Sequence, residues 1–166
     1  MNTNLQKKSP AASIIGLIVC IAVCFAAGAV GGFATSSSVN GWYVDLAKPS
    51  WNPPGWIFGP VWFTLYVMMG TSLWLVWRGA SFDQNRFAIG WFGFHLVLNS
   101  LWSILFFGMR QPGWAFGEII LLWISIVVSM LLFKRFSGVA VALLVPYLCW
   151  VSFASVLNYT IWQMNQ

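Results

Sequence analysis

Long apolar runs separated by short polar segments dominate the pattern of this chain of 166 residues. A helix needs about 20 predominantly apolar residues to cross the hydrocarbon core of a bilayer. The runs that reach this length cover Ser13–Ala34, Trp56–Trp77, Phe87–Phe107, Gly113–Phe133 and Val139–Trp162. The pattern therefore predicts an all-α fold, in which residues 1–166 form a single membrane domain with a bundle of five transmembrane helices.

The composition agrees with a membrane protein, since 60% of the residues are hydrophobic and only 7% are charged. A soluble domain carries about 25% charged residues. The net charge of +5 is scattered over short loops, so there is no basic face for a nucleic acid. One histidine and three cysteines form no motif of metal ligands, and neither a metal nor a cofactor is predicted. We expect Cys20, Cys24 and Cys149 to be buried as small apolar side chains.

The basic residues near the ends of the runs predict the orientation in the membrane. One side carries Lys7, Lys8, Arg78, Arg86, Lys134 and Arg135. The opposite side carries only Lys48 and Arg110. Because cytoplasmic loops are enriched in lysine and arginine, the N-terminus is predicted in the cytoplasm and the C-terminus outside.

The first loop, residues 35–55, is unusually rich in proline and tryptophan. Its prolines are Pro49, Pro53 and Pro54, which fix φ and remove backbone donors, so the loop is stiff. Trp42 and Trp51, with Trp56 just beyond, add large apolar faces. We predict that this loop acts as a lid or as a wall of a binding site on the non-cytoplasmic side.

Three of the runs carry aromatic and polar side chains at helical spacing. These residues are Trp62 and Tyr66, then His95, Asn99 and Trp102, and finally Tyr147, Trp150, Ala154, Leu157 and Asn158. Polar groups at membrane depth are costly and usually face the interior of a bundle. The pattern favours an aromatic ligand pocket with a few hydrogen-bonding groups, and the alternative is a solid core filled by aromatic rings. Trp123 lies equally deep and does not fit a role as an interfacial anchor.

Residues for ordinary enzyme chemistry are scarce. Glu118 is the only carboxylate within a run, and we expect it to form an ion pair, with Arg110 or His95 as candidate partners, or to reach water. There is no second carboxylate for glycoside hydrolysis and no glycine-rich phosphate loop. The spacing of Gly28 and Gly32 indicates close helix packing, either within the bundle or in a dimer.

Three segments share their order and spacing with one known family. The first is Trp42-Tyr43-x-x-Leu46-x-Lys48-Pro49-Ser50-Trp51-Asn52-Pro53-Pro54, followed by Phe58-Gly59-Pro60-Val61-Trp62-x-x-Leu65-Tyr66. The others are Leu98-Asn99-x-x-Trp102 and Pro146-Tyr147-Leu148-x-Trp150-x-x-Phe153-Ala154-x-x-Leu157-Asn158-Tyr159. From Gly31 to Trp162 the chain resembles the TspO/MBR family of tryptophan-rich sensory proteins and translocator proteins.

The resemblance implies a five-helix bundle, commonly a homodimer, with a pocket under the first loop. It implies a receptor or sensor that binds protoporphyrin IX or another tetrapyrrole, and in some members sterols or benzodiazepine-type ligands, with a link to porphyrin regulation or stress. The matching pocket positions are Tyr43, Phe58, Trp62, Tyr66, Asn99, Trp102, Tyr147, Trp150, Ala154 and Leu157.

Two alternatives follow from the same resemblance. One is a light-dependent enzyme that degrades porphyrin, in which Trp62 and Trp150 match the two implicated tryptophans. The other is a transporter of porphyrin or sterol-like solutes. The animal cholesterol pattern is incomplete, because no lysine or arginine follows Tyr159. The missing basic tail and the short loops favour a bacterial member in the cell envelope.

Overall fold

The computed structural model describes residues 9–166, so the predicted basic pair Lys7 and Lys8 lies outside the described residues. Its helices are α1 (Pro10–Ser36), α2 (Trp42–Asp45), α3 (Gly55–Gly79), α4 (Phe82–Ser103), α5 (Pro112–Phe133) and α6 (Gly138–Met164). A π-helical turn, Ile104–Gly108, continues α4. There is no strand within residues 9–166. All helices except α2 are long and apolar enough to cross a membrane. The all-α, five-span prediction is confirmed, and the chain is a multi-pass membrane protein.

Each membrane helix begins slightly before its apolar run, and in α1, α4 and α6 a polar capping residue starts the helix outside the apolar stretch. Ser9 precedes α1, and its side chain accepts a hydrogen bond from the backbone N–H of Ala12 at 3.2 Å. The largest difference is at α4, which begins at Phe82 instead of the predicted Phe87. There Ser81 and Gln84 form a capping box that satisfies the first backbone donors.

The five membrane helices form a closed ring. Helix α1 packs against α3, α3 against α6, α6 against α5 and α5 against α4, which returns to α1. We call the end that carries residues 37–54 and the α4–α5 turn the outer end, and the opposite end the inner end. The outer turn is tight, since Arg110 adopts a φ of 56° that is uncommon for a residue with a side chain.

The inner half of the ring is solid. Phe92 of α4 and Phe133 of α5 are fully buried, and their rings stack with centroids 5.4 Å apart. Ser72 donates a hydrogen bond to the carbonyl of Ala140 at 2.7 Å, which ties α3 to α6. The side-chain amide of Asn85 donates to the carbonyl of Val76 at 3.0 Å and closes the end of α3. These contacts leave this half filled with side chains.

The predictions for Cys149 and Glu118 are wrong. Cys20 and Cys24 are buried as expected, but Cys149 is exposed on the outside of the bundle. Trp123 also faces outward, 37% exposed, and its indole N–H donates to the hydroxyl of Ser152 at 2.9 Å. This hydrogen bond between α5 and α6 satisfies the indole without an interior partner.

Glu118 also departs from the prediction. It is buried, and its carboxylate oxygens have no hydrogen-bond partner among the described residues. The expected ion pair with Arg110 or His95 therefore does not form. Arg110 lies in the outer turn, where it lines a surface groove with Trp114 and Trp162, and His95 makes a different hydrogen bond that is described below.

Candidate ligand-binding site

The outer half of the ring encloses a cavity of about 430 Å³. Three tryptophans from three different helices line it: Trp62 on α3, Trp102 on α4 and Trp150 on α6. The other predicted pocket residues that line it are Tyr43, Phe58, Tyr66, Asn99, Ala154 and Leu157. The cavity has the size of known small-molecule sites, which occupy about 300–1,000 Å³.

Aromatic contacts hold each of these tryptophans in place. Trp62 stacks on Tyr66 with ring centroids 5.3 Å apart, and Trp150 meets Phe58 edge to face at 5.7 Å. Trp102 stacks on Phe106 at 5.3 Å. Rings that are fixed by neighbours present their remaining faces to the cavity without further loss of conformational freedom. The wall therefore consists of flat aromatic surfaces that are already fixed in place.

Asn158 of α6 holds Trp102 in position. Its side-chain oxygen accepts a hydrogen bond from the indole N–H of Trp102 at 3.0 Å. Its amide donates to the carbonyl of Pro112 at 2.8 Å, at the start of α5. One buried amide thus joins α4, α5 and α6 beside the cavity.

Glycines leave the space between α1 and α3. A Cβ atom added at Gly32 or Gly59 would meet nothing within 4 Å, and both residues line the cavity. At Gly28 an added Cβ would clash with the ring of Tyr66. The two predicted glycines therefore have different roles. Gly28 permits close packing within the bundle, which was one of the two predicted alternatives, and Gly32 borders the cavity.

Tyr147 does not line the cavity. It is fully buried behind Trp62, with the two ring centroids 6.3 Å apart. Its hydroxyl accepts a hydrogen bond from the amide of Asn99 at 3.1 Å and lies 3.0 Å from Nε2 of His95. Asn99 in turn accepts a hydrogen bond from the hydroxyl of Tyr66 at 3.0 Å. The sequence placed Tyr147 on the correct helical face, but the depth of the side chain behind Trp62 depends on helix packing.

Residues 37–54, which we call the roof, lie across the outer end of the cavity. The hydroxyl of Ser38 donates to the carbonyl of Phe107 at 2.7 Å, and the ring of Tyr43 packs on Phe107 at 5.4 Å. Trp51 meets Phe153 of α6 edge to face at 5.9 Å. The roof is thereby attached to the π-helical turn and to α6.

Lys48 stabilises the roof internally. Its ammonium donates to the carbonyls of Tyr43, Val44 and Leu46 at 2.6, 2.9 and 2.9 Å. The same group lies 4.9 Å from the centre of the Tyr43 ring. A lysine whose three donors are occupied caps the short helix α2. In the sequence analysis Lys48 counted only as a loop charge for the positive-inside rule, which gives no indication that it caps α2.

Asn165 forms a further attachment of the roof that the sequence did not suggest. Its side chain accepts from the backbone N–H of Ala47 and donates to the carbonyl of Ala47, both at 2.9 Å. The amide also donates to the carbonyl of Ile161 at 2.7 Å. One side chain beyond the end of α6 therefore holds the middle of the roof, a contact between residues distant in sequence that no local pattern could indicate.

The site is electrically neutral. None of the residues that line the cavity is an aspartate, glutamate, lysine, arginine or histidine. Tyr43, at the edge of the roof, is partly buried, and this burial raises the pKa of its phenol above the ordinary value of 10.0, although the hydrogen bond to Asn52 acts in the opposite direction. The cavity therefore offers aromatic faces and neutral hydrogen-bonding groups, and among residues 9–166 no cluster of side chains could hold a metal ion.

Comparison with known proteins gives one consistent result. A profile of the TspO/MBR family matches residues 20–163. The tryptophan-rich protein TspO of Chlorobaculum tepidum is 49% identical over 154 residues, which cover 92% of this chain and 97% of the relative.

More distant relatives carry two kinds of name. The translocator protein of Homo sapiens is 39% identical over 142 residues, covering 82% of this chain and 84% of the relative. The tryptophan-rich sensory protein of Cereibacter sphaeroides is 33% identical over 124 residues, covering 75% and 77%. The match spans the first loop and all five membrane helices, so this chain belongs to the TspO/MBR family.

Proposed function

We propose that the outer cavity binds a tetrapyrrole of the protoporphyrin IX class and that the protein acts as a membrane receptor or sensor for it. The observation that carries this proposal is the neutral cavity of about 430 Å³ walled by Trp62, Trp102 and Trp150. Large flat macrocycles stack favourably on indole faces. The family membership and the relative named a tryptophan-rich sensory protein support the same assignment.

The absence of charge in the cavity wall suggests how such a ligand would lie. Burying an unpaired carboxylate is strongly unfavourable, and the ammonium of Lys48 is already occupied by three carbonyls. The macrocycle would therefore enter the cavity, and its carboxylate substituents would remain at the mouth. Asn99 uses its oxygen and one N–H within the protein, so its second N–H is available to a ligand acceptor.

Titration of the purified protein with protoporphyrin IX tests the proposal. We expect saturable quenching of tryptophan fluorescence, which is lost when Trp62→Ala and Trp150→Ala are combined. Trp123→Ala is the matched control, because this tryptophan lies in a membrane helix but faces away from the cavity. Unchanged affinity in the double variant would show that the ligand binds elsewhere.

A second candidate is light-dependent oxidation of the bound porphyrin, with Trp62 and Trp150 as electron donors. It is favoured by the stacking of Trp62 on Tyr66, which gives the cavity an oxidisable aromatic pair. Illumination of the complex should then convert the porphyrin to a new product, and Trp62→Phe or Trp150→Phe should abolish the conversion. Transport is less well supported, because the fully buried rings of Phe92 and Phe133 fill the inner half.

We also propose that the N-terminus is cytoplasmic and that the cavity opens toward the outer side of a bacterial cell envelope. Arg78, Arg86, Lys134 and Arg135 lie at the inner end and support this orientation. A cysteine placed at Gln166 should react with a membrane-impermeant thiol reagent in intact cells, and one placed at Arg135 should not. The reverse labelling pattern would invert the orientation.

Two further partners remain proposals. A homodimer is expected from the family and is tested by the mass of the protein in nanodiscs. Sterol binding at the end of α6 is less favoured, because Tyr159 is 46% exposed and has no basic residue after it. Competition of cholesterol with bound protoporphyrin IX would test whether sterols use the cavity instead.

A further inference from the structure

A chain of hydrogen bonds leads from the cavity wall to the centre of the bundle. It begins at Tyr66 and Asn99, which line the cavity, and continues to Tyr147 and His95, which are fully buried. The three links measure 3.0, 3.1 and 3.0 Å. Ligand contacts account for the first two residues of this chain, but not for a tyrosine–histidine pair that no ligand in the cavity can touch.

The direction of each hydrogen bond follows from the donors available. With the oxygen of Asn99 toward Tyr66, its amide donates to Tyr147, and the proton of Tyr147 is left for Nε2 of His95. If the amide were reversed, the Tyr66 hydroxyl would have no acceptor in this chain and its proton would face an apolar cavity. The first arrangement gives the protons of both tyrosines an acceptor, so Tyr147 donates to a neutral imidazole. The proton of that imidazole then lies on Nδ1, which is buried and has no hydrogen-bond partner among the described residues.

The two tyrosines beside Trp62 therefore differ in the group that accepts their phenolic proton. Both are close to the indole, with ring centroids at 5.3 Å for Tyr66 and 6.3 Å for Tyr147. The proton of Tyr66 points at an amide oxygen, which is a very weak base, whereas the proton of Tyr147 points at an imidazole. A phenol gives up an electron readily only when its proton can leave at the same time, so Tyr147 is the better electron donor.

We propose that Tyr147 and His95 form a redox relay that reduces Trp62 again after an excited ligand has oxidised it. The proposal rests on tetrapyrrole binding in the cavity, because a photo-excited tetrapyrrole is the oxidant. The excited ligand takes one electron from Trp62, which leaves a ligand radical anion and an indole radical cation. One electron then passes from Tyr147 to Trp62, the phenolic O–H bond breaks, and an N–H bond forms at Nε2 of His95.

This step conserves charge and is reversible. The positive charge moves from the indole to the imidazolium, and the unpaired electron moves to a neutral phenoxyl radical. When an electron returns from the ligand, the proton returns from His95 to Tyr147. The relay moves the electron vacancy away from the cavity wall, which delays recombination and gives the reduced ligand time to react.

Electron paramagnetic resonance of the illuminated protoporphyrin IX complex, frozen in nanodiscs, tests the relay. Protein carrying ring-deuterated tyrosine identifies a tyrosyl radical, because its spectrum narrows. We expect this radical in the wild type and its loss in Tyr147→Phe and in His95→Gln. Glutamine still accepts a hydrogen bond but is not a base, so it separates proton transfer from structural support. Tyr159→Phe, on the outer face of α6, should retain the signal.

Binding is measured on the same samples by fluorescence quenching, which separates the two proposals. If the wild type does not bind protoporphyrin IX saturably, the proposed function fails and the relay fails with it. If the wild type binds the porphyrin but forms no tyrosyl radical, or if the radical persists in Tyr147→Phe, only the relay is wrong. Slower decay of the indole radical in deuterated water, seen by transient absorption, would support the coupled proton transfer.

Discussion

The two halves of the bundle are built from the same helices but pack in opposite ways. In the inner half, Phe92, Phe133 and Leu144 are fully buried. In the outer half, Trp62, Trp102 and Trp150 stand around an open space of about 430 Å³. Interdigitating side chains fill the space between the helices in the inner half. In the outer half, large aromatic side chains are held by their neighbours and face glycines, so the space between the helices stays open. Stability and binding are therefore expected to depend on different ends of the same helices.

Removing one large aromatic side chain from each half should give the largest difference between the two halves. Phe133→Ala should destabilise the protein by about 3–5 kcal/mol, because it leaves a cavity in a close-packed region. Trp150→Ala should destabilise it much less, since one face of this indole already borders a cavity, but should weaken porphyrin binding. Unfolding in detergent and porphyrin titration measure the two effects. Equal losses of stability in both variants would contradict the division into halves.

A pair of glycines on α3 provides a second test. A Cβ at Gly70 would lie 2.5 Å from Cα of Ile21 on α1, so Gly70→Ala should cost about 1–3 kcal/mol by overpacking. Gly59→Ala is the matched control, because its Cβ would enter open space in the cavity. The control should keep its stability and change only ligand affinity. A stable Gly70→Ala protein would mean that α1 and α3 can separate freely.

The attachment of the roof is expected to produce a smaller effect. Asn165→Ala removes both hydrogen bonds to Ala47 and should cost about 1 kcal/mol. The roof should then open more often, so bound porphyrin should dissociate faster in stopped-flow experiments. Gln163→Ala removes a nearby amide that is exposed and serves as the control. An unchanged dissociation rate would assign the roof to holding helices and not to admitting ligand.

The smallest expected effect is a change of stability with pH, and it tests whether Tyr43 is buried in the roof. Burial holds the pKa of Tyr43 above 10.0 in the folded protein, so the unfolded chain loses this proton first as pH rises. The contribution of Tyr43 to stability is therefore present below pH 10.0 and declines above it. The stability of Tyr43→Phe relative to the wild type should increase through this range. A constant difference between the two proteins would show that the phenol is not buried in solution.

Hydropathy was sufficient to place all five membrane helices, because each must satisfy its backbone within an apolar stretch. Hydropathy identifies the part of a helix that lies in the membrane and not the whole helix. The start of α4 at Phe82 was therefore missed, because the capping groups there are polar. The short helix α2 and the π-helical turn were also not predicted. Both are too short for a periodic pattern and are fixed by tertiary contacts such as that between Ser38 and Phe107.

The residues of the candidate site were predicted largely through helical spacing and the family motif, which report the face of a helix. They do not report depth, so Tyr147 was assigned to the cavity although it lies behind Trp62. Asn165 was missed because its partner Ala47 belongs to a distant part of the chain. Each of these errors concerns a contact between elements and not an element itself.

The order of helices around the ring has a consequence for how the protein is made. Helix α6 lies between α3 and α5, so helices inserted in chain order leave a gap in the ring until α6 enters the membrane. Trp150, which forms one wall, and Asn158, which positions Trp102, arrive only with this helix. A chain paused before α6 would contain most of the aromatic residues but no enclosed cavity. Under the proposed function, only chains whose membrane insertion is complete would capture the ligand.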